Sequence, residues 1–283
     1  MTSVTLRSRP EGFHSGSSRQ NVIRRTIRVL QYRRILNLLV RRDLKVRYAG
    51  SALGYVWTVL DPLLMSLVYW YVFTKIFDRN AGEQNEPYML YLVTGQLIWA
   101  WFASGVTGTA RALSSEAQMV RSSNVPRELW VVRVTTSKGV EYLFGLPVIA
   151  IYALAYMKKP NLEGILLLPV GMAMCFLLVL GLGLILAPLT VLVNDVGRII
   201  PIVMRVLFYA SPVLYSAATV PQGLQAAWTF NPMVGILGLA RAVFFPDDLD
   251  WAFVLHSAIG TAIILVIGVF VFTRLERPVL KEI

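Results

Sequence analysis

The chain has 283 residues, of which 56% are hydrophobic and only 15% charged, and it carries a formal net charge of +11. On that composition a mean hydropathy of +0.60 excludes a soluble globular domain, where about 45 to 50% apolar and about 25% charged residues are usual. The charge is also misplaced for nucleic-acid binding, because twelve of the 27 Lys and Arg residues fall between Arg7 and Arg47, just before the first long apolar run.

Residues 1–20 are rich in Ser, Arg and Gly and lack the apolar core of a signal peptide, so a disordered cytoplasmic tail is expected there. Residues 21–48 alternate apolar and basic side chains, with Ile23, Ile27 and Leu30 on one helical face and Arg24, Arg25 and Arg28 opposite. That pattern predicts an amphipathic interfacial helix. Ile35 and Leu39 fall on another face, which predicts a break or rotation near Tyr32–Arg34.

Six spans follow, at Gly54–Phe77, Tyr88–Gly108, Val134–Met157, Gly164–Val193, Ile199–Tyr215 and Trp251–Thr273. Most approach the roughly 20 apolar residues that a helix needs to cross a bilayer. The expected class is therefore an all-α polytopic membrane protein, with a six-span domain at 54–273 and a cytoplasmic tail at 274–283. Arg79, Lys158, Lys159 and Arg241 fall in outer loops and Lys75 near the outer end of the first span, whereas the other 22 basic residues fall inside. By the positive-inside rule both termini are cytoplasmic.

Two connections carry structure of their own. The inner one, Thr109–Arg133, has helical composition, with Pro126 placed to start a second short helix after Asn124. The outer one, Ser216–Asp250, holds an apolar run from Met233 to Phe245 that is too short to span and reads as a helix lying at, or dipping into, the outer interface.

Enzymatic chemistry needs convergent polar groups, and the pattern does not supply them. His14 and His256 have no partner spacing for a metal or a triad. No Gly-rich phosphate loop followed by Lys and Ser or Thr occurs. No catalytic residue, metal or cofactor is expected on this chain, and if ATP drives it, the nucleotide and its Mg belong to another subunit. Cys175 lies in an apolar run and reads as a packing residue.

The intramembrane ionisable residues are few: Asp61 before Pro62, the pair Lys138 and Glu141, the pair Asp195 and Arg198 at the inner turn, and Arg205 deeper in its span. Each is costly in lipid unless paired or hydrated. Anchoring at the inner interface and a role in gating or assembly both remain open for Asp61, Lys138 and Glu141, while Arg205 could face a wet lumen. The set is too sparse for a proton relay. Aromatic residues crowd three spans, with Tyr69, Trp70, Tyr71 and Phe73 in the first, Trp99, Trp101 and Phe102 in the second, and Phe208, Tyr209 and Tyr215 in the fifth. They read either as headgroup-level belts or as a carbohydrate path, in which rings stack on sugar faces while Tyr and Trp donors meet sugar hydroxyls.

The run RRDLKVRYAGSALGYVWTVLDPLL from Arg41 to Leu64 resembles the opening of bacterial ABC-2 type permeases that export O-antigen, teichoic acid or mycobacterial galactan. VYWYVFTKIF (68–77), TGQLIWAWFASGVTGTARAL (94–113), VRSSNVPREL (120–129), NDVGRIIPIVMRVLFYASPVLY (194–215) and the Asn231–Met233 tripeptide with Arg241 downstream resemble the same family in the same order. The resemblance implies a homodimer in the bacterial cytoplasmic membrane, two ATP-binding-cassette subunits beneath it and a lipid-linked polysaccharide as cargo. It implies coupling to the ATPase through 112–127 and the N-terminal helix, hence Ser114, Glu116, Arg121, Arg127, Arg41 and Arg42. It implies an outer gate at 220–245 and a conduit lined by spans one and five, drawing in Tyr69, Tyr71, Trp99, Phe208, Tyr209 and Tyr215. The Arg-rich, Lys-poor composition leans toward galactan. The alternatives are an ABC-2 exporter of small lipophilic drugs or lipids, and a stand-alone membrane glycosyltransferase or channel.

Overall fold

In a computed structural model of the chain, residues 31–47, 50, 51, 53–76, 87–123, 125–216 and 228–282 are described, and among them there is helix but no strand. The α-helices among the described residues are α1 (Arg33–Arg47), α2 (Trp57–Tyr71), α3 (Tyr88–Ala110), α4 (Ala117–Ser122), α5 (Glu128–Ala155), α6 (Leu162–Leu192), α7 (Asn194–Ala210), α8 (Met233–Arg241) and α9 (Trp251–Glu282). Helices alone satisfy every backbone group within one segment, which is what a hydrocarbon solvent demands.

Four of these helices, α3, α5, α6 and α9, are long and apolar enough to cross a membrane. The first and fifth expected spans are shorter helices. α2 has 15 residues, extended at its start by a 3-10 turn at Gly54–Val56 and at its end by a π turn at Val72–Ile76, and α7 has 17. The apolar window of α3 is 72% buried inside the protein, against 22% for α9. α9 therefore lies at the outside of the bundle, whereas α3 is the central post on which α2, α5, α6 and α7 pack.

The pair α6 and α9 is held by backbone contact. A Cβ built on Gly268 would stand 2.4 Å from the carbonyl oxygen of Gly181, and one on Gly181 would stand 2.9 Å from the backbone of Leu265. Glycine lets two helices approach this closely, and lipid favours such packing because side-chain burial alone gives no hydrophobic gain there. α6 starts on a cap, the Asn161 side chain accepting from Glu163 N at 3.3 Å. Val193, in extended conformation, separates it from α7.

α8 is a buried wedge. Met233, Ile236, Leu237 and Leu239 are all at most 1% exposed, and nine residues at 1.5 Å each reach only about 14 Å, so α8 enters the bundle between α3, α6 and α9 without crossing it. Of the two placements left open for the Met233–Phe245 run, this is the one that dips in.

Two boundaries differ most from expectation. No separate short helix begins at Pro126. Instead Leu129 N bonds Pro126 O at 3.0 Å, making Pro126 part of the first turn of α5, which starts at Glu128 rather than Val134. Glu128 and Arg133 bracket an apolar stretch with charge and read as the edge of the inner connection, but Arg133 is paired with Asp43 and Glu116. The last helix also runs past Thr273 to Glu282, because Val279 has a buried seat against Ala112, Leu113 and Val120. Charge at Arg274 marks the end of the apolar stretch and not of the helix. At the other terminus Tyr32 is in a turn ahead of α1, and residues 1–30, with the first part of the expected amphipathic helix, lie outside the described residues. α1 and the end of α9 share one end of the bundle, the basic end.

Candidate functional site

Depth within the bundle can be read from ring contacts to α3. Trp99 is the midpoint of the 23-residue α3, and Phe208 packs edge-on against it at 5.7 Å. Tyr69 stacks on Phe208 at 5.8 Å, and Tyr209 meets Phe208 edge-on at 5.1 Å. This cluster therefore stands near mid-depth, well away from the headgroup level where an aromatic belt would lie.

Exposure divides the six expected conduit residues. Trp99 and Phe208 are buried at 5% and 6% and act as the backing. Tyr69 and Tyr215 are half-buried. Tyr71 and Tyr209 point outward, at 55% and 62% exposure, and neither hydroxyl has a partner among the described residues. The Tyr215 hydroxyl donates to the Tyr209 carbonyl at 2.8 Å, and its ring stacks on Trp228 at 5.7 Å. On α7 the stripe Arg198, Ile202, Arg205 and Tyr209 is exposed, and on α2 so are Asp61, Leu64, Val68 and Tyr71. Phe73 has no described side-chain environment.

The same end of α7 is pinned by a residue that sequence reasoning placed in an outer loop. Arg241, the last residue of α8, is 1% exposed. Its Nη1 donates to Pro212 O and to the Tyr91 hydroxyl, both at 2.7 Å, and its Nη2 donates to Val213 O at 2.5 Å. Asp248 lies 4.0 Å from Nη1 and accepts from the Tyr91 hydroxyl at 2.9 Å and from the Ser216 hydroxyl. The carbonyls it holds are those left open where α7 ends at Ser211. Gly95 makes the space, since a Cβ there would stand 2.4 Å from Arg241 Nη2. A lone arginine closing an apolar run too short to span, followed by the acidic pair Asp247 and Asp248, was the available sequence signal.

Beside this frame lies an apolar cavity of about 400 Å³, lined by Trp99, Phe102, Leu178, Leu207, Trp228 and Phe230 among others.

At the basic end, charge alternates across three elements. Glu116, in the turn after α3, accepts from Arg133 Nη1 at 3.0 Å and from Arg42 of α1. Arg133 Nε pairs with Asp43 at 3.1 Å, and Arg42 also reaches Asp43. Burial pushes the Glu116 carboxyl up, but Arg133 and then Arg42 outweigh it and hold the group below its ordinary value. Arg133, 5% exposed, and Asp43 are the members that sequence reasoning missed. Arg127 pairs with Glu276 of α9 at 3.8 Å. Arg41, Ser114 and Arg121 are exposed, and Met119 beside them is 42% exposed. The segment is seated by Ala112, Leu113 and Val120, each 1% exposed.

The remaining ionisable residues separate clearly. Lys138 pairs with Glu141 at 3.0 Å, and Arg47 of α1 also donates to Glu141. Expected near the inner end of their span, the two sit ten and thirteen residues into α5, because that helix starts early. They stand next to the stacked Trp101 and Tyr142 rings. Asp195 and Arg198 are 4.0 Å apart and almost fully exposed. Asp61 and Arg205 are exposed and have no partner among the described residues. His256 contacts the carbonyl of Ala252 on its own helix at 2.6 Å.

A family model described as ABC-2 type transporter matches residues 35–245, that is, from α1 to just past α8. Among curated relatives, the O-antigen export system permease protein RfbA of Myxococcus xanthus is 30% identical over 246 residues, covering 86% of this chain and 93% of the relative. RfbA of Klebsiella pneumoniae is 28% identical over 245 residues, covering 86% and 92%. The polysialic acid transport protein KpsM of Escherichia coli is 22% identical over 248 residues, covering 86% and 94%.

Proposed function

The chain belongs to the ABC-2 type transporter family, and from that premise we propose that it is the membrane-spanning permease of an ATP-driven exporter of a lipid-linked polysaccharide. The observation that carries this reading is the outward face of α2 and α7 at mid-depth, where Tyr71, Tyr209 and Arg205 present polar groups with no partner among the described residues. Lipid cannot solvate such groups. A wet path can, and tyrosines along it supply ring faces for sugars and hydroxyls for their polar rims. Weak, repeated contacts of this kind let a polymer slide.

Relatives named for O-antigen export and polysialic acid transport support a glycan as cargo, with galactan and teichoic acid as further members of that class. In this reading two copies face each other across α2 and α7. Each takes a separate ATP-binding-cassette subunit beneath the basic end, which lies in the cytoplasm with both termini. α1, α4 and the Glu116–Arg133 cluster carry nucleotide-driven motion into α5, and α8 with Arg241 forms the outer gate. The chemistry of ATP and Mg stays on the partner, and this chain is no enzyme.

The test is export. Cells carrying Tyr71→Ala and Tyr209→Ala together should accumulate the glycan inside and show at least a several-fold loss at the surface, with normal permease level; unchanged export refutes the sugar path. A second reading, export of a small lipophilic molecule, is favoured by the 400 Å³ apolar cavity. Filling it with Leu207→Trp would then stop transport and leave Tyr71→Ala silent.

A further inference from the structure

Arg205 is the one cation on the outward stripe of α7 that sits deep in the bundle. It lies three residues before Phe208, which packs against the midpoint of α3, so it stands within about 5 Å of mid-depth. From there the side chain cannot reach a headgroup. It has no ion-pair or hydrogen-bond partner among the described residues.

Three surroundings are open to this guanidinium, and two fail on physical grounds. Lipid would leave a bare charge in hydrocarbon. The same face of a second copy, related by a two-fold axis, would bring two like charges together in a dry contact. Asp61 on the neighbouring stripe does not neutralise it. Taken from the Tyr69–Phe208 stack, Asp61 is about 7 Å closer to the basic end. What remains is a hydrated gap with an anion in it.

We propose that Arg205, paired with its counterpart in a second copy, forms a cationic ring inside the conduit that binds phosphoryl groups carried by the passing substrate. The proposal rests on the conduit reading above. A guanidinium offers a planar fork for phosphate oxygens, and rings of arginine are the usual device of anion- and phosphate-conducting pores. Tyr209, one turn further, places a ring beside the charge, so phosphate and sugar are engaged by neighbouring residues of one stripe. Arg198, two turns toward the basic end on the same stripe, is 84% exposed and marks the approach.

The experiment uses the permease with its ATPase partner in phosphatidylcholine nanodiscs. In the first arm Arg205→Cys is exposed to a membrane-impermeant thiol reagent; Cys175, the single native cysteine, is buried and gives a silent background. Reaction from water is expected, and its absence removes the conduit reading itself. In the second arm ATP turnover is titrated with a phosphorylated oligosaccharide, its uncharged counterpart, and a polyprenyl diphosphate beside the matching polyprenol. Wild type should respond to a phosphorylated probe at about ten-fold lower concentration than to its uncharged counterpart, the weight of one charge-assisted contact. Arg205→Gln should erase the difference and Arg205→Lys keep most of it. A preference among the oligosaccharides locates the phosphate in the glycan, and one among the polyprenyl probes locates it in the lipid anchor. Labelling without any phosphate preference in wild type, or a preference that survives Arg205→Gln, overturns the proposal and leaves the conduit standing. So does rescue of Arg205→Asp by Asp61→Arg, which would assign the charge to an ion pair between copies.

Discussion

Arg241 and Tyr91, 150 positions apart, are joined twice: Nη1 donates to the tyrosine hydroxyl at 2.7 Å, and the guanidinium carbon lies 3.7 Å from the ring centre. Through this contact the end of α8 is tied to α3, and through Pro212 and Val213 to the end of α7. Replacing Arg241 by Met would strand the Pro212 and Val213 carbonyls in an apolar interior and take the cation away from Asp248. The expected cost is about 3 kcal/mol or more, read as a fall in the melting temperature of the detergent-purified protein. Arg241→Lys should fall between, since an ammonium cannot reproduce the fork.

Glu116 gives the basic end an acid limit. Its carboxyl is held below the ordinary value of 4.5 in the folded state, so its ion pairs contribute fully above that value and are lost as the pH falls through the folded-state value. Melting temperature should drop on the acid side of about 4.5, and Glu116→Gln should flatten that part of the slope. Exchanging charges, with Arg42→Glu and Glu116→Arg together, should recover about 1 kcal/mol relative to the sum of the single changes.

Gly268→Leu should fail to assemble the α6–α9 pair, because the new side chain would start 2.4 Å from the Gly181 carbonyl oxygen, on backbone that cannot step aside. A loss of folded yield in size-exclusion chromatography is expected, beyond the usual 1 to 3 kcal/mol or so of overpacking. Gly238→Ala is the control, since its Cβ would meet only Leu249 Cδ1 at an ordinary 3.5 Å.

Arg121 is exposed on α4 and, among the described residues, makes no ion pair with the cluster around Glu116. If α4 docks the ATPase, Arg121→Glu should weaken capture of that subunit by about ten-fold while leaving the melting temperature of the permease unchanged. Equal capture would take α4 out of the coupling surface.

The sequence made α3, α6 and α9 legible because about 20 consecutive apolar residues have one sensible fate. It misjudged the start of α5, since the charge of Arg133 reads as the end of the inner connection until Asp43 and Glu116 are known to neutralise it. Arg241 was hidden for a related reason: one charge after a short apolar run reads as a loop residue unless its acceptors are seen, and those come from α3 and the end of α7. Aromatic crowding in the first, second and fifth spans was visible, but periodicity could not separate Trp99 and Phe208, which back the cluster, from Tyr71 and Tyr209, which face outward. That distinction needs the neighbours of each helix.

The central claim is that this chain supplies a conduit that an ATPase must drive. The most direct measurement reconstitutes it in sealed vesicles with and without the ATP-binding-cassette subunit and follows a labelled lipid-linked glycan across the bilayer. The account predicts translocation only when the cassette subunit and ATP are both present. Transport by this chain alone, at the same rate without ATP, would contradict it.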